Sequence, residues 1–226
     1  MSPSPPQEGD GGSGGPDTRV IALIMNLRNA GIRDTRVLAA IERVPREMFL
    51  DAAHAKAAYA DRALPIDCGQ TISQPYIVAY MTEKLKLEPM HKVLEVGTGS
   101  GYQAAVLAHL CRRVYTIERY RTLLRQAEQR FDDLGLTNIT AMVGDGARGW
   151  GAQAPFDRII VTAAAPERPL DLIAQLVRGG LLIAPIEGAG AEQHLVLYTK
   201  TARAFTEEKL LPVRFVPLLS GIARQD

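Results

Sequence analysis

Beyond Lys92 the chain alternates short aliphatic runs with amphipathic stretches. The aliphatic runs predict strands at Lys92–Val96, Arg113–Ile117, Ile139–Val143, Arg158–Thr162 and Leu181–Pro185. Apolar positions at helical spacing predict helices at about Tyr102–Leu110, Arg121–Leu134 and Leu170–Val177, the last ended by Gly179-Gly180. Such alternation specifies an α/β fold with a doubly wound, mostly parallel sheet covered on both faces. Leu195–Thr199 and Val213–Leu218, joined by a polar connection, predict an antiparallel C-terminal edge.

Upstream the period is helical. Val20, Leu23, Ile24 and Leu27 form one amphipathic run closed by Gly31, and Asp34 caps a second run, Val37, Leu38 and Ile41, stopped by Pro45. Arg46 to Gly69 is irregular, with Leu64-Pro65-Ile66 as a loop or extended piece. Ser73 then stands before Pro75, with Ile77, Met81 and Leu85 four apart, so Ser73 is expected to be the N-cap of a third helix with proline in its first turn.

Composition changes this picture at the N-terminus. The first 17 residues hold nine Gly/Pro positions and no aliphatic residue beyond Met1, which predicts a disordered arm at 1–17. The remainder, 18–226, is expected to be a single domain: an N-terminal helical part at 18–91, then the sheet and C-terminal strands at 92–226. Deleting residues 1–16 is expected to leave activity unchanged. The start lacks the basic and apolar segments of a secretory signal, and no later apolar run is long enough to span a bilayer, so export and membrane insertion are disfavoured.

Charge and cysteine usage narrow the partners. Formal net charge is +1, and setting aside the arm's three acids leaves about +4, with no basic tract, so no nucleic-acid partner is expected. Cys68 and Cys111 stand 43 positions apart without a second thiol or paired histidine, which offers neither a metal cluster nor a redox pair. A reduced, cytoplasmic setting fits that usage. No unpaired apolar stripe demands a partner, so a monomer is expected.

The first chemistry lies at the end of the first sheet strand. Val93-Leu94-Glu95-Val96 runs into Gly97-Thr98-Gly99-Ser100-Gly101 and then a helix. In doubly wound sheets this edge binds nucleotides, because glycines let the backbone approach a ligand and the helix start offers free N–H groups. The spacing is GxGxG, whereas the dinucleotide pattern is GxGxxG, and a tight strand-to-helix turn is the plain alternative. Context favours a ligand. The second strand ends at Glu118, seventeen residues past Gly101, where a carboxylate can accept from both ribose hydroxyls, and the third ends in Gly144-Asp145-Gly146, where Asp145 can accept from an adenine amino group. Taken singly, Glu118 also suits a solvated helix cap and Asp145 a turn former. Together the three strand ends suit one nucleoside-sized ligand.

These residues resemble the protein-L-isoaspartate (D-aspartate) O-methyltransferases, within the S-adenosylmethionine-dependent methyltransferases. The resemblance runs from Val20 to about Ile222 and is carried by Leu64-Pro65-Ile66, Gly69-Gln70-Thr71-Ile72-Ser73-Gln74-Pro75-Tyr76, Val93 through Tyr102, Gly144-Asp145-Gly146, Ala154-Pro155-Phe156-Asp157, Val161-Thr162-Ala163-Ala164 and Val213-Arg214-Phe215-Val216-Pro217-Leu218. Many methyltransferases share the glycine turn, whereas Thr71 through Pro75 is particular to this family.

The resemblance implies a Rossmann-like methyltransferase fold. It also implies S-adenosyl-L-methionine as methyl donor, S-adenosyl-L-homocysteine as product and no metal. The acceptor would be the free carboxylate of an isoaspartyl, or D-aspartyl, residue in a damaged protein. By position, Glu95 and Gly97, Thr98, Gly99, Ser100 and Gly101 would hold the methionine part of the cofactor, Glu118 the ribose, and Asp145 with Gly146 the adenine. Ser73 matches the active-site position, with Thr71, Ile72 and Gln74 beside the acceptor. At Val78 some members carry a cofactor-binding histidine, and Cys68 replaces a commoner polar residue.

That chemistry asks little of the side chains. A carboxylate of pKa about 4 is already ionised at neutral pH, so transfer needs no strong general base. Alignment and solvent exclusion are the protein's expected contributions, with Ser73 orienting the acceptor. An N-cap at Ser73, worth about 1 kcal/mol, is the alternative or coexisting role. His54, His91, His109 and His194 have no ligand spacing, the arginines from Arg112 to Arg130 read as a solvated face, and Trp150 reads as core. A small-molecule O-methyltransferase and a non-catalytic adenosylmethionine-binding protein remain as alternatives, with a nicotinamide dehydrogenase poorer on glycine spacing.

Overall fold

The computed structural model describes residues 17–188, 190 and 192–224. The expected disorder of the Gly/Pro arm lies outside the described residues, except at Asp17. At Asp17 the carboxylate accepts the Arg19 amide at 2.9 Å and caps the first helix.

Helices α1 (Thr18–Asn29) and α2 (Thr35–Arg43) follow the two amphipathic runs, and Asp34 caps α2 as its position before the run requires. The irregular stretch resolves into single 3₁₀ turns and a short antiparallel pair, β1 (Leu64–Pro65) with β2 (Thr71–Ile72). Between them Cys68 and Gly69 take positive φ, and the Gln126 amide donates to Asp67 at 2.8 Å, fastening this small loop to a later helix. Helix α3 (Pro75–Lys84) follows.

The sheet then builds as β3 (Lys92–Val96), α4 (Tyr102–Ala108), β4 (Arg113–Glu118), α5 (Arg121–Asp133), β5 (Ile139–Val143), β6 (Phe156–Val161), α6 (Leu170–Ala174), β7 (Leu176–Glu187), β8 (Gln193–Lys200) and β9 (Phe205–Val213). Strand order is β5-β4-β3-β6-β7-β8-β9, parallel from β5 through β7 and antiparallel for β8 and β9. Order reverses between β3 and β6, which puts the topological switch point beside the glycine turn.

Strand alternation divides the core. Val93, Val114, Ile160 and Ile183 face one cluster with the N-terminal helices and α4, while Leu94, Ile117, Ile159 and Leu182 face a second with α6. With both faces covered, the central strands are apolar almost throughout. Every residue of α4 is buried, which fixes the start of that helix under the glycine turn.

Two regions depart most from expectation. Helix α6 ends at Ala174, because Leu176 already pairs with Phe156; Gly179-Gly180 lies inside β7, where a register shift between Phe156 and Arg158 marks an irregularity. The last strand is β9 at Phe205–Val213, not Val213–Leu218. The later segment turns back to the carboxyl ends of the parallel strands: the Ala164 amide donates to the Val216 carbonyl at 2.8 Å and the Leu218 amide to the Ala164 carbonyl at 2.7 Å.

Candidate active site

A cleft of about 780 Å³, counting its open mouth, lies at the carboxyl ends of β3, β4 and β6. Its floor is the glycine turn. Gly97 has φ +96, and a Cβ there would meet the Thr162 hydroxyl at 2.3 Å; Gly101 has φ +92, and a Cβ there would meet the Phe131 ring at 2.9 Å. Neither position admits a side chain without displacement; Gly97 lines the cleft, whereas Gly101 does not border it and packs against Phe131 and Ala127 of α5. Thr162 locks the turn from β6, its hydroxyl donating to the Gly97 carbonyl at 2.6 Å.

Glu118 stands at the end of β4 and lines the cleft, although only 5% exposed. It accepts the Gly99 amide at 2.8 Å and the Tyr120 amide at 3.0 Å, so it joins the glycine turn to the loop before α5. Glu95 lies beneath the turn with no exposure. There the Thr98 and Thr116 hydroxyls are 2.6 Å apart and Thr116 donates to Glu95 at 2.5 Å, while Oε1 of Glu95 has no partner among the described residues. Burial pushes the Glu95 carboxyl up to about 8, helped by the nearby Glu118 charge and opposed by the Thr116 hydrogen bond.

Gly146 borders the cleft, but the Asp145 carboxylate serves its own turn, accepting the Ala147 amide at 3.1 Å and lying 3.6 Å from Arg148. Thr98, Gly99 and Ser100 complete the floor.

Ser73 sits where two spaces meet. It lines the cleft and also an adjoining groove walled by Thr71, Gln74, Ile77 and residues 212–216, and Thr71, Thr162 and Val216 are likewise shared. Ile72 is buried and borders only the cleft. The expected N-cap at Ser73 does not form. Gln74 is the capping residue and makes no side-chain cap. The first-turn donor is satisfied from outside: Asp61 accepts the Tyr76 amide at 2.8 Å and the Gln74 side-chain amide at 2.9 Å. The Ser73 hydroxyl is left without an intramolecular partner among the described residues, half-buried at the junction.

Residues 216–219 also line the cleft and were not anticipated there. The strand pattern of Val213–Leu218 resembled a sheet edge, and nothing in its periodicity marks the return across the strand ends. Thr162 was discoverable, since it directly follows the strand across the switch point from β3.

Residues 18–223 match the family model described as protein-L-isoaspartate(D-aspartate) O-methyltransferase. The chain belongs to that family. A Parvibaculum lavamentivorans protein-L-isoaspartate O-methyltransferase is 65% identical over 91% of this chain and 93% of its own length, and one from Maricaulis maris is 57% identical over 92% and 98%. Among solved structures, a protein-L-isoaspartate O-methyltransferase aligns with TM-score 0.81 at 30% identity, covering 88% of this chain and 65% of that one. A Plasmodium falciparum relative in complex with S-adenosyl-L-homocysteine aligns with TM-score 0.78 at 27% identity, over 88% of this chain and 97% of its own. The family cofactor fits the residues present: the turn is held bare of a side chain at Gly97, which lines the cleft, and a carboxylate stands at the end of β4. Among the described residues no group of acidic, histidine or cysteine side chains forms a metal site, and no helix is long and apolar enough to cross a membrane.

Proposed function

We propose that this chain methylates the free carboxylate of L-isoaspartyl residues in damaged proteins, with the cleft holding the cofactor and the adjoining groove the peptide. One observation carries the division of the site: Thr71, Ser73, Thr162 and Val216 border both spaces, so groups held in the two spaces would meet beside these residues. When bound, S-adenosyl-L-methionine supplies an activated methyl group and leaves as S-adenosyl-L-homocysteine.

Gly97, Thr98, Gly99, Ser100 and Gly101 would hold its methionine part through backbone, Glu118 the ribose, and Gly146 the adenine. In this assignment Glu95 acts from beneath the turn through Thr116 and Thr98, and Asp145 by fixing the turn that presents Gly146. The Ser73 hydroxyl, free of capping, donates to the acceptor carboxylate and aligns it; Thr71, Ile72 and Gln74 shape the surrounding loop. No general base is required, because the acceptor arrives ionised. Residues 216–219 narrow access for water, which would otherwise stabilise the separated charges of the reactants.

The substrate class is protein, and the finer setting is part of the same reading: a monomer of one domain, 18–226, acting in the cytoplasm on proteins and not on nucleic acid or membranes. Two cysteines 43 positions apart in the sequence suit a reducing compartment. The site assignment is tested by Ser73→Ala, which should lower transfer to an isoaspartyl peptide by at least about tenfold with cofactor affinity unchanged. Equal turnover in the variant would remove Ser73 from the mechanism.

A further inference from the structure

Directly behind Ser73 lies a charge that the reaction as described does not use. Arg46, in the 3₁₀ turn Arg46–Phe49, has no exposed surface and no ion-pair partner among the described residues. Its Nε donates to the Ala58 carbonyl at 2.8 Å and its Nη2 to the Ser73 carbonyl at 2.7 Å. The guanidinium carbon lies 4.7 Å from the centre of the Tyr102 ring, which lines the cofactor cleft. Nη1 of Arg46 and the Tyr102 hydroxyl are both buried, and neither has a hydrogen-bond partner of standard geometry among the described residues.

A buried cation without a carboxylate is costly, and a neutral side chain would fill the same volume more cheaply. What a neutral or point-charge residue lacks is the planar fork, which donates in two fixed directions at once. Here those directions lead to Ala58 and to Ser73. The Ser73 carbonyl precedes helix α3 and has no place in its hydrogen-bond ladder, so Arg46 supplies its donor. Fixing that carbonyl fixes the backbone from which the otherwise unpartnered Ser73 hydroxyl projects. The ring stacked on the same guanidinium belongs to the cofactor side of the site, so one side chain sets the acceptor loop against the cofactor cleft.

We propose that Arg46 is a positioning residue for methyl transfer, holding the Ser73 backbone at the junction of cleft and groove. The inference rests on the role of Ser73 given above. It is tested by a double-mutant cycle in the full chain, with Arg46→Lys, Ser73→Ala and the pair, and with Arg46→Gln as a second route if lysine does not fold. The readouts are kcat/KM for an isoaspartyl peptide, Kd for S-adenosyl-L-methionine and Tm. With Ser73 present, Arg46→Lys or Arg46→Gln should lower kcat/KM by about tenfold or more while Kd moves less than about twofold. With Ser73→Ala already in place, the same change should cost less than about twofold, because there is no hydroxyl left to position. An equal factor in both backgrounds, or a parallel loss of cofactor affinity, would overturn the proposal. So would failure of every Arg46 variant to bind the cofactor, which would make the arginine a folding residue. Wild-type turnover in Ser73→Ala alone would also overturn it, by removing the Ser73 reading beneath it, and the single variant identifies that outcome.

Discussion

Asp61 accepts the amide of Tyr76 at 2.8 Å and so caps helix α3 from fifteen residues away, in the place that Ser73 would otherwise fill. On the proposed reading, capping falls to Asp61 and substrate alignment to Ser73. Asp61→Ala is expected to lose about 1 kcal/mol of stability, with a Tm lower by a few degrees. Ser73→Ala should leave Tm nearly unchanged, so thermal melts of both variants beside their turnover separate the two roles. A Tm loss in Ser73→Ala as large as that in Asp61→Ala would return the cap to serine.

Glu118 ties the amides of Gly99 and Tyr120 to one carboxylate beside the cleft. Hydrogen bonds to a charged acceptor are roughly twice as strong as neutral ones, and ribose hydroxyls would meet the same group. Glu118→Gln should weaken S-adenosyl-L-methionine binding by about tenfold in a calorimetric titration. Unchanged affinity would remove Glu118 from the cofactor site.

Burial of Glu95 is expected to give stability a pH dependence. Its carboxyl is raised to about 8 in the folded protein, from an ordinary value of 4.5. Between those values the unfolded chain has lost the proton that the folded chain keeps, so stability is full below the lower value and falls as pH rises through the upper one. Glu95→Gln, which stays neutral, should flatten that fall. Denaturant melts at pH 5 and pH 8 without cofactor test this; an equal decline in both proteins would assign the pH dependence to other groups.

The C-terminal tail crosses the cleft, with Leu219 in its lining and the Ala223 amide donating to the Arg119 carbonyl at 3.0 Å. Leu219 is 48% exposed and Ile222 53%, so removing them disturbs little core. Truncation after Leu218 should weaken cofactor binding by about fivefold, with Tm lower by only a few degrees. Full affinity in the truncated chain would show that the wall of the cleft ends at Leu218.

The sheet was legible because buried parallel strands are written as aliphatic runs: Lys92–Val96 and Ile139–Val143 match prediction at both ends. The positions of the glycine turn and Glu118 at the carboxyl edge of the sheet were legible as well, since each directly ends a strand written as an aliphatic run. What the chain did not disclose depends on distant partners. Asp61 and Tyr76 are far apart in sequence, so the serine nearest the helix looked like its cap. Arg46 sits in an irregular stretch with no period to mark it as buried. Residues 216–219 have a strand's pattern because they pair with the loop at Ala164, off the sheet edge.

The acceptor is tested most directly by one assay. Purified protein is incubated with methyl-labelled S-adenosyl-L-methionine and two peptides that differ only in an isoaspartyl or a normal L-aspartyl linkage. Base-labile label on the isoaspartyl peptide alone is the expected result. Equal label on both peptides, or none on either while the cofactor still binds, would contradict it.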